Sequence, residues 1–303
     1  MNIVIIGAGA IGLLLYKQIK DNLPVDNKLQ IASNKQPTPS QYQFENLDGL
    51  LTNIPLTAAN RESISQADII IICVKAFQVV DVIEQHCETL KKSASIMLSH
   101  NGMGVYETLP DSLKAQHPIY ALLTTNGSKK NADWSVTHTG IGHYDFGLLN
   151  NDVLIDHNAH TALLKAVIPN INYHEDINEK QWQKLAINCV INPITALNNI
   201  KNGDVLKPEF SALKKQLIDE FVNIAKLEGI EFNADTLTQT INQVALYTST
   251  NTSSMLSDVQ AEKATEVDYI NGYLTAVAKR HSADNFSITH KKTTEQIKRL
   301  IDQ

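Results

Sequence analysis

Ile3-Val4-Ile5-Ile6-Gly7-Ala8-Gly9-Ala10-Ile11-Gly12-Leu13-Leu14-Leu15-Tyr16 opens the chain as strand, tight turn and helix in direct succession. The four β-branched residues suit a strand covered on both faces, and the leucine run suits a buried helix. In a dinucleotide-binding βαβ unit, Gly7 would make the turn and Gly9 would let the backbone approach a pyrophosphate. Gly12 would let helix and strand pack closely. Ala8, Ala10 and Ile11 complete the loop, and the helix start at its end presents free N–H groups to an anion. A secretory segment is not indicated, because Met1-Asn2 carries no positive side chain and no polar cleavage region follows.

Working outward, Leu29-Gln30-Ile31-Ala32 reads as the second strand, followed by Ser33-Asn34-Lys35. An acidic residue here would bind the ribose 2′-OH of NAD. Hydroxyl, amide and ammonium groups suit the 2′-phosphate of NADP instead. Ala67 to Val74 predicts a buried parallel strand ending at Lys75-Ala76-Phe77-Gln78, and Ser95 to Ser99 a second one ending at His100-Asn101-Gly102-Met103-Gly104. Polar residues after parallel strands lie at the ligand-binding edge of an open α/β sheet, which makes Lys75 and Asn101 candidates. Strand-like segments at 119–123 and 142–147, a helix near 152–167 and an extended piece at 170–174 complete a first domain.

From about Glu175 the pattern turns helical, so the boundary is set at His174: residues 1–174 as a Rossmann-type α/β domain and 175–303 as an all-α domain. Ser211 to Glu228 predicts a helix stopped by Gly229, and Gln260 to Arg280 another. Within Gln181 to Pro193, Lys184, Asn188 and Asn192 recur every four residues and form a polar stripe on an otherwise apolar helix. Buried polar groups need partners, which a polar ligand can supply. Pro193 leaves the Cys189 carbonyl without its helical donor and predicts a kink. A desolvated lysine suits reduction of a carbonyl, where an ammonium stabilises and then protonates the developing alkoxide. Ser253 and Ser254 read as helix caps. Glu266 and Asp268, two positions apart, face different sides and form no acid–base dyad; alone, Glu266 reads as a solvated residue.

The 303 residues carry a formal net charge of −6, with 26 basic and 32 acidic side chains and no basic cluster that would mark nucleic acid or an anionic membrane as partner. Cys73, Cys87 and Cys189 are odd in number and widely spaced, which fits a reducing, cytoplasmic setting and neither a disulfide framework nor a zinc site. The histidines show no metal-binding spacing, so no metal is expected. No apolar run is long enough to span a membrane. A small-molecule partner is expected, and both monomer and homodimer remain open.

GAGAIG at 7–12, VKAFQ at 74–78, HNGMG at 100–104, KLAINCVINPITAL at 184–197, SSML at 253–256 and TEVDYINGY at 265–273 together resemble the ketopantoate reductase (2-dehydropantoate 2-reductase) family, in order and over nearly the whole chain. The resemblance implies a Rossmann domain followed by a helical domain and NADPH-dependent reduction of 2-dehydropantoate to (R)-pantoate, on the way to pantothenate and coenzyme A. It implies that Lys184 is the general acid and Glu266 its active-site partner. Asn188, Asn192 and Ser254 match substrate positions, the serine near the carboxylate and the asparagines near the hydroxyl. Lys75 and Asn101 match residues at the cofactor, Asn101 also at the substrate. Many members carry an arginine after the second strand where this chain has Asn34 and then Lys35, a point charge without the bidentate fork. Reduction of another short 2-oxo or 3-oxo acid, and a non-catalytic NADPH sensor, are the alternatives.

Overall fold

β1 (Asn2–Ile6) is flanked by parallel neighbours on both sides, β2 (Lys28–Ala32) and β5 (Ile69–Ile72), in the registers Ile3↔Leu29 and Ile3↔Ile69. This explains why its side chains are apolar in succession rather than alternating. The computed structural model, which describes residues 1–150 and 157–301, continues the sheet through β6 (Ser95–Leu98), β7 (Ile119–Thr124), β10 (Tyr144–Leu148) and β11 (Ile171–Tyr173). The order across it is β11-β10-β7-β6-β5-β1-β2, parallel except where β10 meets β7. The chain leaves β1 toward β2 on one side and later returns to β5 on the other. The carboxyl end of β1 is therefore the topological switch point, where open α/β sheets bind ligands.

A second sheet, β4-β3-β9-β8, joins β3 (Gln41–Glu45), β4 (Leu51–Pro55), β8 (Gly127–Ala132) and β9 (Ser135–Gly140). None of the strands expected from the sequence belongs to it. Its inner residues Tyr42, Phe44 and Val136 share one core with Leu13, Leu14 and Tyr16 of α1 (Ala10–Asn22). The Tyr42 hydroxyl donates to the Leu13 carbonyl at 2.7 Å, and the Tyr16 and Tyr42 rings meet edge-on at 6.1 Å. α2 (Arg61–Ser65), α3 (Val79–His86), α4 (Val105–Thr108), α5 (Asp111–Gln116) and α6 (Asn158–Val167) complete this part. The expected helix near 152–167 corresponds to α6 from Asn158 on; positions 151–156 lie outside the described residues.

The remaining elements are helical: α7 (Asn178–Asn198), α8 (Ser211–Leu227), α9 (Ala234–Tyr247), α10 (Ser254–Gln260), α11 (Val267–Arg280) and α12 (Ile288–Ile301). They enclose a separate core in which Trp182, Phe221, Leu274 and Ile297 are buried. α8 ends as its sequence predicts, with Gly229 at φ +76° and the Gly229 and Ile230 amides donating to the carbonyls of Lys226 and Ala225. The helix expected over 260–280 begins only at Val267, because α10 ends at Gln260 and residues 261–266 are non-helical. α10 closes with the same pattern of bonds, Glu262 to Val259 and Lys263 to Asp258, except that a glutamate at φ +51° takes the glycine's place.

The chain divides into two units: Met1–His100 with Val105–Ile177, and Asn101–Gly104 with the chain from Asn178 onward. The division falls three residues beyond His174, since Ile177 packs on Ala121 and Leu123. It also assigns Asn101–Gly104 to the helical unit. No helix among the described residues is long and apolar enough to cross a membrane.

Candidate active site

The loop after β1 takes a shape that only glycine permits at two positions. Gly7 stands at φ +116°, and a Cβ on it would lie 2.7 Å from the Cys73 carbonyl oxygen. A Cβ on Gly12 would collide with the carbonyl oxygen of Gly7, so this glycine sets the contact between turn and helix. At Gly9, by contrast, the nearest atom to a Cβ is 3.8 Å away, which leaves the backbone side of the turn open to a ligand. Gly9 is the N-cap of α1 with no side chain over it, and the residues that follow are Ala10, Ile11 and Gly12. The first N–H groups of the helix, with its positive dipole end, therefore remain for an anion. This cradle fits the pyrophosphate of a dinucleotide.

Of the other residues expected at the cofactor, Ser33, Asn34, Lys35 and Lys75 lie in the same unit, whereas Asn101 belongs to the helical one. Ser33, Asn34 and Lys35 follow β2, with Asn34 and Lys35 exposed. The Ser33 hydroxyl accepts the Lys35 amide at 3.1 Å. Lys35 Nζ reaches both carboxylate oxygens of Asp133 at 2.6 Å. Lys75, half-buried, precedes a 3-10 turn over Ala76–Gln78 and donates its amide to Gln78 Oε1 at 3.2 Å. Cys73, just before it, is held as a thiol: burial pushes it up to about 12.

The helical unit carries the rest. Lys184, Asn188 and Asn192 all stand on α7, the first two half-buried and Asn192 only 6% exposed. The helix runs on through Pro193. The Cys189 carbonyl, deprived of its i+4 amide, accepts Asn271 Nδ2 from α11 at 2.9 Å. One turn on, Thr195 Oγ1 lies 2.7 Å from the Ser253 hydroxyl, which accepts the Leu256 amide as the cap of α10. Ser253 is thus the capping serine, and Ser254 is exposed in the first turn beside it.

Glu266 departs from its reading as a solvated residue: it is 4% exposed. Asn101 donates to its carboxylate twice, from the backbone amide at 3.2 Å and from Nδ2 at 3.0 Å. Met103 N donates to the Tyr269 carbonyl at 2.8 Å. Gly102, at φ +81°, lies so close to Tyr269 that any side chain would strike it. The tetrapeptide is thereby fastened across the start of α11. Asp268, by contrast, is exposed and pairs with Lys298 at 2.7 Å. Among the described residues no group of three His, Cys, Asp or Glu side chains could hold a metal ion.

A glycine-turn α/β unit followed by a helical unit, with a lysine and two amides on one helix and a buried carboxylate on another, defines a dinucleotide-dependent oxidoreductase. Comparison with known proteins gives the particular kind. Residues 3–151 match the family model described as ketopantoate reductase PanE/ApbA, and residues 176–289 the model of its C-terminal part. The 2-dehydropantoate 2-reductase of Yersinia pestis is 33% identical over 285 residues, which cover 93% of this chain and 89% of that one. Among solved structures, D-mandelate dehydrogenase with NADH and anilino(oxo)acetate superposes with a TM-score of 0.86 at 19% identity, covering 100% of this chain and 99% of that one. The dimeric ketopantoate reductase of Staphylococcus aureus gives 0.81 at 23%, with coverage of 100% and 99%. The chain belongs to the ketopantoate reductase family.

Proposed function

We propose that this chain reduces the C2 carbonyl of 2-dehydropantoate to the (R)-alcohol with NADPH, in a reducing, cytoplasmic setting. NADPH supplies the hydride. Lys184 places its ammonium at the carbonyl oxygen, stabilises the alkoxide as negative charge develops there, and then transfers a proton to it. One hydride on carbon and one proton on oxygen complete the alcohol. Asn188 and Asn192, one and two turns along α7, bind the substrate's hydroxyl end, and Ser254 at the start of α10 binds its carboxylate. Glu266 orients substrate and lysine, and is itself held by Asn101.

The observation that carries this reading is the burial of the Glu266 carboxylate under two Asn101 donors, in the unit that also holds the polar stripe of α7. A buried carboxylate is costly unless it is hydrogen-bonded and put to use. The glycine cradle at β1 supports the cofactor, and the absence of an acidic residue in Ser33–Lys35 supports the phosphorylated form.

The test is the rate of NADPH oxidation with 2-dehydropantoate, beside NADH and beside 2-oxoisovalerate, which lacks the terminal hydroxyl. Rapid turnover is expected only with NADPH and 2-dehydropantoate. Tight NADPH binding without turnover of any oxo acid would make the chain a sensor instead.

A further inference from the structure

Asp133 begins the two-residue turn between β8 and β9, followed by Trp134 in the left-handed region at φ +59°. Its carboxylate takes Lys35 Nζ at 2.6 Å on both oxygens and Lys130 Nζ at 2.9 Å. All three side chains keep contact with water: Lys35 is 49% exposed, Asp133 52% and Lys130 27%. Lys35 belongs to the segment that follows β2, which in this topology faces the adenosine ribose of a dinucleotide. The strand that carries Lys130 showed no sequence signal for that role. The second sheet brings it there, by packing β8 and β9 against α1.

We propose that Asp133 is a specificity-determining residue for the dinucleotide: it gathers Lys35 and Lys130 into one cationic pair, and a 2′-phosphate binds by displacing it from both. The inference rests on the NADPH reading given above. A phosphate monoester carries about −1.5 to −2 charges at pH 7 and three acceptor oxygens, against a single charge on the carboxylate. An exposed carboxylate–lysine pair in water is held weakly, so the exchange favours phosphate. A 2′-hydroxyl cannot drive it, because it brings no charge to replace the one displaced. Two lysines so gathered do the work of the missing arginine at position 34, and Asp133 sets how much of their attraction reaches the phosphate. Lys35 and Lys130 pull the Asp133 carboxyl down to about 2, so it competes as an anion at every working pH.

Direct fluorescence titration of NADPH and NADH against wild type, Asp133→Asn, Lys130→Ala and Lys35→Ala reads this without turnover. Asp133→Asn is expected to tighten NADPH about fivefold and leave NADH within about twofold. Lys130→Ala should weaken NADPH and not NADH, and the gain from Asp133→Asn should shrink in the Lys35→Ala background, where only Lys130 is left to be freed. Asp133→Ser serves as a second substitution of the same turn. Unchanged NADPH affinity in both Asp133 variants, or an equal change for both dinucleotides, overturns the inference while the cofactor reading stands. A wild-type protein that binds neither dinucleotide overturns both.

Discussion

Lys184 is half-buried on α7, one turn before Asn188, and its proposed role differs in kind from that of any residue in the glycine loop. Lys184→Ala should lower kcat about a hundredfold or more, as loss of a general acid does. NADPH affinity should stay close to wild type, because the cradle at Gly7–Gly12 lies in the other unit. Steady-state kinetics paired with a dinucleotide titration checks both, and a variant with normal kcat would remove the lysine from the chemistry. At this scale the sequence revealed the stripe, because 184, 188 and 192 are spaced by a helical turn. It did not reveal the burial of Glu266. The donors of Asn101 come from 165 residues away, and no local pattern encodes such a pairing.

α7 is held at its weak point by Asn271. Both hydrogens of its Nδ2 are used, one on the Cys189 carbonyl and one on His290 Nδ1 at 2.9 Å, while Oδ1 has no partner among the described residues. Asn271→Ala strands two buried acceptors, each costing about 1–3 kcal/mol. Urea unfolding should show the helical unit less stable by about 3 kcal/mol, with a lower midpoint and an unchanged slope. An effect below about 1 kcal/mol would show that the opened helix needs no support. Pro193 announced the open carbonyl, but the residue that answers it could be found only by folding. The same division holds for helix ends. Gly229 predicted the end of α8, whereas Glu262, which serves the same backbone turn, gave no glycine to read. The second sheet was legible in part: Gln41–Glu45 alternates exposed and buried residues around Tyr42 and Phe44. Gly127–Ala132, GSKKNA, has no apolar face at all and forms a strand only because β9 pairs with it.

Across the whole molecule, buried histidines make stability depend on mild acid. His290 is fully enclosed: Nε2 donates to the Leu217 carbonyl at 3.0 Å, Asn271 meets Nδ1, and Glu220 accepts the backbone amide of His290. Burial holds its pKa down to about 4, and burial also lowers His86, His117 and His138. The unfolded chain protonates these rings near 6.5, while folded His290 resists until about 4. The unfolded state therefore binds more protons in that window, and stability falls as pH drops from about 6.5 toward 4. His290 alone contributes a slope of about 1.4 kcal/mol per pH unit there. Unfolding measured between pH 7.5 and 5 should show the decline, and His290→Gln should flatten it by one proton's worth; an equally steep profile in the variant would assign the dependence elsewhere.

The tetrapeptide Asn101–Gly104 belongs to the helical unit, although the α/β unit claims the residues on either side of it. The chain accordingly passes between units at 100/101, at 104/105 and at 177/178. The helical half is therefore not a contiguous gene segment. A fragment starting at Asn178, or a chimera of two relatives joined there, would carry Glu266 without the Asn101 that was shaped to meet it. Recombination between family members thus has a hidden constraint: four residues from the first half must travel with the second.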